Sequence, residues 1–189
     1  MEILKSFLRE FYFVNDEILD GYISLWKEFD ISKKQIMRSE GQVEKYLYYV
    51  ITGVQKSYYL RKEKEHVIAF AYPPSFSGIP ESFFTQTPSR YYLETITDSS
   101  FLRISYEQHQ QYMVEHREIE TLFRKITEIF LYGVIQRQHE MMALSTEDRF
   151  RAFVNRSAHL LQIIPQKDIA SYLSIDATNF SKLINRIRI

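Results

Sequence analysis

Between Ile31 and Ile104 the chain is cut into short runs that are too brief for helices and too regularly punctuated for a loop. Gln35–Met37, Lys45–Ile51, Gln55–Leu60, His66–Ala71, Tyr91–Thr97 and Phe101–Ser105 are rich in aromatic and β-branched residues. Between or beside them stand Ser39-Glu40-Gly41, Thr52-Gly53, Arg61–Lys64, Pro73-Pro74, Ser77-Gly78 and Asp98-Ser99, all with turn chemistry. Many short strands joined by tight turns leave a barrel or a jelly-roll sandwich as the architecture. A helical interruption is expected around Pro80–Phe84. Tyr48, Tyr49, Tyr58, Tyr59, Tyr91 and Tyr92 read first as barrel core and cross-strand pairs. An apolar effector cavity lined by them is the sharper alternative.

The flanks have a different period. Up to about Phe29 the spacing predicts helix, with Ile3, Phe7 and Phe11 at steps of four, followed by Ile18, Tyr22, Leu25 and Phe29. From Tyr106 to about Leu144 there is no proline, and one long helix is expected. Ile119, Leu122, Ile126, Ile129 and Gly133 form a seam at alternating steps of three and four, which Phe123, Phe130 and Val134 widen. A small barrel alone cannot cover so wide a stripe, so a second copy of the chain is the expected cover. Gly133 would let the two backbones approach closely.

Composition removes several classes of function. The 189 residues are 45% hydrophobic and 25% charged, ordinary values for a globular protein, with room for one large domain or a medium one plus a small one. With no cysteine, disulfides, thiolate zinc sites and cysteine-held iron–sulfur clusters are excluded. No apolar run reaches bilayer length, and the acid-bearing start Met1–Glu10 lacks a signal pattern, so a cytoplasmic location without membrane contact is expected. His66, His109, His116, His139 and His159 are scattered without ligand spacing, so each reads as a surface histidine and no metal site is expected. Only His66 falls in the strand runs, which argues against a metal enzyme on a cupin-like barrel. The chain is therefore read as a non-enzyme.

The last stretch points at a partner. In Pro165–Arg186, Ile169, Ala170 and Leu173 share one face of a first helix, and Ser174-Ile175-Asp176 breaks the pattern. Asp176 is a good N-cap for a second helix, on which Phe180, Leu183, Ile184 and Ile187 form the apolar face. Ala177, Thr178, Ser181, Lys182 and Asn185 lie largely on the other face. Two short helices of this kind suit insertion into the major groove of duplex DNA. A helical hairpin packed on a core satisfies the same pattern, and Ser174 stands where such turns often carry glycine. Net charge is zero, yet from Ser145 onward seven basic residues (Arg149, Arg151, Arg156, Lys167, Lys182, Arg186, Arg188) face four acids (Glu147, Asp148, Asp168, Asp176). That modest positive balance fits phosphate contact and also fits an ordinary surface.

The order of helices, small barrel, long helix and helix-turn-helix resembles the Crp/Fnr family of bacterial transcription regulators. Arg38-Ser39-Glu40-Gly41-Gln42 resembles the family's first barrel turn, and Tyr49-Val50-Ile51-Thr52-Gly53-Val54 its aromatic–x–Ile–x–Gly–x turn. Phe70, Pro73 and Phe76-Ser77-Gly78 stand where the family enters its ligand cassette. Ile164-Pro165-Gln166-Lys167-Asp168-Ile169-Ala170-Ser171-Tyr172-Leu173 resembles the Bacteroidetes-type form of the first helix-turn-helix helix. The resemblance covers essentially the whole chain. It implies an α+β fold: a cyclic nucleotide-binding-like barrel or jelly roll with flanking helices, a long dimerisation helix and a C-terminal all-α domain. The sensor domain would span 1–144, with the dimerisation helix at about 106–144, and the DNA-binding domain 145–189.

The resemblance also defines what is missing. Cyclic-nucleotide binders of the family carry Gly-Glu at a short helix start and Arg-Ser or Arg-Thr about eleven residues later, to hold the ribose and the phosphate. Here Gly78 keeps its place, Ile79 stands where the glutamate would be, and Ser89 where the arginine would be, with Arg90 one position late and expected on the opposite face of a strand. Glu81 substitutes only if the helix begins later. The cassette Gly78, Ile79, Glu81, Ser89 and Arg90 is therefore expected to be degenerate, with cyclic AMP bound weakly or not at all and no cofactor. On the DNA side, the resemblance puts Ala177, Thr178 and Lys182 at base edges. Lys167, Ser171, Thr178, Ser181 and Asn185 are candidate phosphate contacts. It further implies a homodimer and RNA polymerase as a partner beside duplex DNA. With Arg188-Ile189 as the last residues, no β-hairpin wing is expected. A descendant of the same fold that senses a small molecule or a protein without binding DNA is the competing expectation.

Overall fold

The computed structural model describes residues 1–186. Helices α1 (Glu2–Arg9) and α2 (Asp16–Ser24) come first, with Asn15 capping α2 by accepting the Glu17 N–H at 2.9 Å. Lys5 and Arg9 of α1 pair with Asp16 and Asp20 of α2. The buried rungs of α1 are Leu4 and Leu8, and Ile3 is exposed. The helical pattern ends at Ser24, because Phe29 lies in strand β1 (Lys27–Ile31), opposite Phe101 of a neighbouring strand.

The strand region folds as expected into two packed sheets. Strands β2 (Ile36–Arg38), β3 (Tyr46–Thr52), β4 (Gln55–Arg61), β5 (Lys64–Ala71) and β6 (Ser75–Ser77) lead into the short helix α3 (Pro80–Thr85), then β7 (Tyr92–Thr95) and β8 (Ser99–Ser105). One sheet runs β1-β8-β3-β6 and the other β2-β7-β4-β5, all antiparallel. Strand alternation sends Tyr48, Val50 and Phe101 between the sheets, packed by Phe29, Ile31, Met37, Tyr46 and Ala71. Tyr49, Leu102 and Ile104 point the other way, onto the helices. The tyrosines pair across strands: Tyr58 stacks on its register partner Tyr92 at 5.2 Å, and Tyr59 on His66 at 4.9 Å. Gly53 is required in the β3–β4 turn. Its φ is +92°, and a Cβ there would sit 2.6 Å from the Asp98 carbonyl oxygen.

The long helical segment is broken. α4 (Tyr106–Glu115) and α5 (Arg117–Ala143) meet at His116, whose backbone is extended (φ −130°, ψ 99°). Two demands force the break. α4 lies along α2, with the Tyr112 hydroxyl donating to the Ile18 carbonyl at 2.9 Å, while α5 turns Ile119, Leu122 and Phe123 into the core formed by α1, α2 and the outer face of β3 and β8. One straight helix cannot do both. Ile119 and Leu122, expected on a seam between two copies, are thus buried by their own chain, and Ile126 packs against the same core. Ile129 and Gly133 stay open: Ile129 is exposed, and nothing lies within 4 Å of a Cβ placed on Gly133.

The chain continues through α6 (Thr146–Ser157), a 3₁₀ turn (Ala158–Gln162), α7 (Gln166–Tyr172) and α8 (Ala177–Arg186). Ser145 caps α6 through the Asp148 N–H. Phe150, Phe153, Leu160 and Ile164 close a core with α7 and α8 that also takes in Val54, Phe70, Tyr72 and Ile96 from the sheets. No helix among the described residues is long and apolar enough to cross a membrane.

His109 departs from its expected surface position. It faces inward from α4, 1% exposed, with Nδ1 2.8 Å from the Tyr22 hydroxyl and its ring 4.5 Å from Phe123. Burial disfavours the imidazolium and lowers its pKa to about 4. The unfolded chain therefore binds this proton first as pH falls. Stability should be complete above the ordinary pKa of 6.5 and decline toward pH about 4 by at most about 1.4 kcal/mol per pH unit from this group. Urea unfolding of wild type and His109→Gln across that window should show this slope only in wild type.

Candidate nucleic-acid interface

The helix-turn-helix forms where the pattern places it. Ile169, Ala170 and Leu173 of α7 and its following residue meet Phe180 and Leu183 of α8 in one core, and Phe180 sits edge-on to Phe150 at 5.6 Å. Ser174 takes the left-handed conformation that the turn demands (φ +52°), and the Ile175 N–H reaches the Ala170 carbonyl at 2.9 Å. Asp176 caps α8 by accepting the Thr178 N–H at 2.9 Å and the Asn179 N–H at 3.4 Å. Those backbone bonds, Thr178 first, hold its carboxyl below the usual range.

The outer face of α8 is open. Ala177, Thr178, Ser181, Lys182 and Asn185 are all exposed, as is Lys167 at the start of α7. Of the basic residues in this region, Arg151 and Arg186 pair with Glu147, and Arg156 with Glu140. Among the described residues no ion pair holds Lys167 or Lys182. Ile187 and Arg188 lie outside the described residues.

Ser171 is not available as drawn from the sequence. Its Oγ accepts the Val67 N–H at 3.0 Å and donates to the Glu65 carbonyl at 3.3 Å, so it pairs with the free edge of β5. Edge strands carry unpaired backbone groups that need cover, and α7 supplies it here. Beside this contact Lys56, 4% exposed, lies among three carboxylates: Glu65 at 2.5 Å, Asp168 of α7 at 3.5 Å and Glu94 at 3.9 Å. Burial pulls the lysine's pKa down, and the Glu65 hydrogen bond with Asp168 and Glu94 more than restores it, so the net direction is up. From α5, Arg137 donates to the Tyr172 carbonyl and lies 4.0 Å over the Tyr172 ring. Lys56, Asp168 and Arg137 were missed by pattern reading, because a lysine on a strand and an acid on a helix normally read as solvated.

The cassette residues are placed as follows. Gly78 holds φ +140°, Ile79 is buried, and α3 begins at Pro80. Ser89 is buried, bonded to Tyr91, and paired through its backbone with Gly41 and Gln42. Arg90 lies in a bend before β7, not on a strand. It is exposed and pairs with Glu81 at 3.0 Å. A second buried pair stands behind the Gly41 turn: Arg38 donates to Glu44 at 3.1 Å, and Ser82 of α3 accepts the Glu44 N–H at 2.9 Å. Desolvation raises the Glu44 pKa, against the pull of Arg38. Sequence reading had no signal for Glu44. Among the described residues no cluster of His, Cys, Asp or Glu could hold a metal ion.

Residues 28–116 match the family model described as the cyclic nucleotide-binding domain. Around them, most of the chain has the fold of Crp/Fnr-type regulators. FixK2 from Bradyrhizobium japonicum is 19% identical over 85% of this chain and 83% of its own, with a TM-score of 0.74. The c-di-GMP responsive global regulator CLP of Xanthomonas campestris is 16% identical over 91% of each chain, with a TM-score of 0.66. The catabolite activator protein of Thermus thermophilus is 15% identical over 93% of this chain and 84% of its own, with a TM-score of 0.58. A comparison with curated protein sequences gives no match.

Removing the buried lysine leaves three carboxylates without their cation where α7 meets the edge of β5. Lys56→Met should cost about 3–5 kcal/mol in urea unfolding. Asp168→Asn, which keeps the lysine and two carboxylates, should cost clearly less.

Proposed function

We propose that the chain is a homodimeric, sequence-specific DNA-binding transcription regulator whose cyclic-nucleotide pocket is degenerate. The open outer face of α8, capped at Asp176 and backed by its own core, carries the reading. Ala177 and Thr178 offer apolar contact to thymine methyls, and Lys182 reaches guanine acceptors or a phosphate. Lys167, Ser181 and Asn185, all exposed, are the backbone contacts of this reading. The second copy covers α5 beyond its first turns, where Ile129, Phe130, Leu131, Tyr132, Val134 and Ile135 are exposed around Gly133. So large an apolar surface calls for a partner, and two-fold pairs suit groove-reading proteins.

The cassette chemistry supports loss of the nucleotide site. Its one arginine is spent on Glu81 at the surface, Ile79 offers no acceptor, and the space between the sheets holds Tyr48, Val50 and Phe101. A buried phosphate without a cation is strongly disfavoured. The protein then works in the cytoplasm, without a membrane or cofactor, and catalyses no reaction.

Selection from a randomised duplex pool followed by a gel-shift assay tests the reading. Recovery of a two-fold symmetric site supports it, and no retained duplex favours a module on the same fold that does not bind DNA. Lys182→Ala should lose about 1–3 kcal/mol of base discrimination. A Phe130→Glu, Ile135→Glu pair should sediment as a monomer and lose most affinity for the symmetric site. Titration calorimetry should find no micromolar binding of cyclic AMP.

A further inference from the structure

We propose that the tip of the β4–β5 hairpin is a second contact with the DNA backbone, set beside the recognition helix. The inference rests on the DNA-binding reading above and extends it to a part of the sensor domain. Position comes first. Ser171 ties α7 to Val67 and to the carbonyl of Glu65, and Lys64 is the next residue toward the hairpin tip. The tip is thereby held against the helix-turn-helix. α7 is packed on β5 and leads through the tight Ser174 turn into the start of α8, which brings the hairpin and the end of α8 that would enter the groove into one region.

Charge and strain point the same way. Arg61, Lys62 and Lys64 are exposed, with only Glu63 opposing them in the tip, and among the described residues none of the three is held in an ion pair. Lys62 and Glu63 both adopt left-handed backbone, with φ of +51° and +62°. A two-residue hairpin loop of that shape is best served by Asn-Gly, and side chains larger than glycine hold it at a cost. The tip thus keeps a basic residue where the fold alone prefers a small one. Duplex DNA presents about one charge per 1.7 Å along its axis, so a basic loop beside a helix in the groove meets phosphates at once.

The test compares the full chain with an Arg61→Gln, Lys62→Gln, Lys64→Gln variant by fluorescence anisotropy, on a selected duplex and on an unrelated one, over a salt series. The expected result is a loss of about 10-fold or more on both duplexes, no change in base preference, and a salt slope smaller by about one for each contact removed. Lys62→Asn should raise the melting temperature and still reduce the slope, which separates the hairpin's DNA role from its fold. Unchanged or tighter binding by the triple variant, with wild type binding normally, overturns the hairpin contact alone. Failure of wild type to bind any duplex overturns the DNA-binding reading, and the hairpin contact falls with it.

Discussion

The edge of β5 is the constraint on which the arrangement turns. In the sheet β2-β7-β4-β5 it is a terminal strand, and its outward backbone groups need partners. α7 provides them through one serine, and the contact is locked by a lysine that the sheet has buried. Burial disfavours the charge of Lys56, and Glu65, Asp168 and Glu94 around it more than offset that cost. Because Asp168 and Ser171 are both on α7, the same residues that satisfy the barrel fix where the helix-turn-helix sits. The orientation of α8 follows from that docking.

α5 shows how one helix serves two covers. Its first turns complete a core that α1, α2 and the outer sheet face cannot close themselves, and its later turns expose a broad apolar surface. The break at His116 makes this division possible, since it lets α4 run along α2 before α5 dives under Phe76 and Tyr49. Arg137, further along, then ties α5 to Tyr172 of α7. The helix that carries the exposed apolar surface is thus also bonded to the helix-turn-helix.

Local signals were legible in the sequence and long-range ones were not. The strand runs, the Pro80 helix, the Asp176 cap and the left-handed Ser174 all depend on neighbours in the chain, and residue type reports them. The two strands left unread, β1 and β6, are short and flank stronger helical or proline signals. The inward turn of His109, the break at His116 and the burial of Ile119 and Leu122 depend on how α2 and the outer sheet face compete for α4 and α5. Periodicity gives the width of an apolar stripe and not which surface covers it. Ser171 failed for the same reason: an exposed-looking serine on a helix carries no mark that a strand edge, more than a hundred residues earlier, needs a donor and an acceptor.

A neutral chain suits the proposed duplex partner only once the acids are followed individually. Glu65, Glu94 and Asp168 surround Lys56, Glu44 is buried against Arg38, Glu140 is taken by Arg137 and Arg156, and Glu147 by Arg151 and Arg186. Glu44 is balanced by its arginine, and Glu140 and Glu147 by two each, so their fields fade within about a Debye length, whereas the three carboxylates around Lys56 share one cation and keep a net negative charge. Lys167, Lys182 and the hairpin residues Arg61, Lys62 and Lys64 keep their charge at the surface, on α7, on α8 and beside them. Net charge averages over the molecule, whereas a phosphate meets only one face. The docking that buries Lys56 also shapes that face, because it turns Asp168 of α7 inward while Lys167, next to it, stays outside.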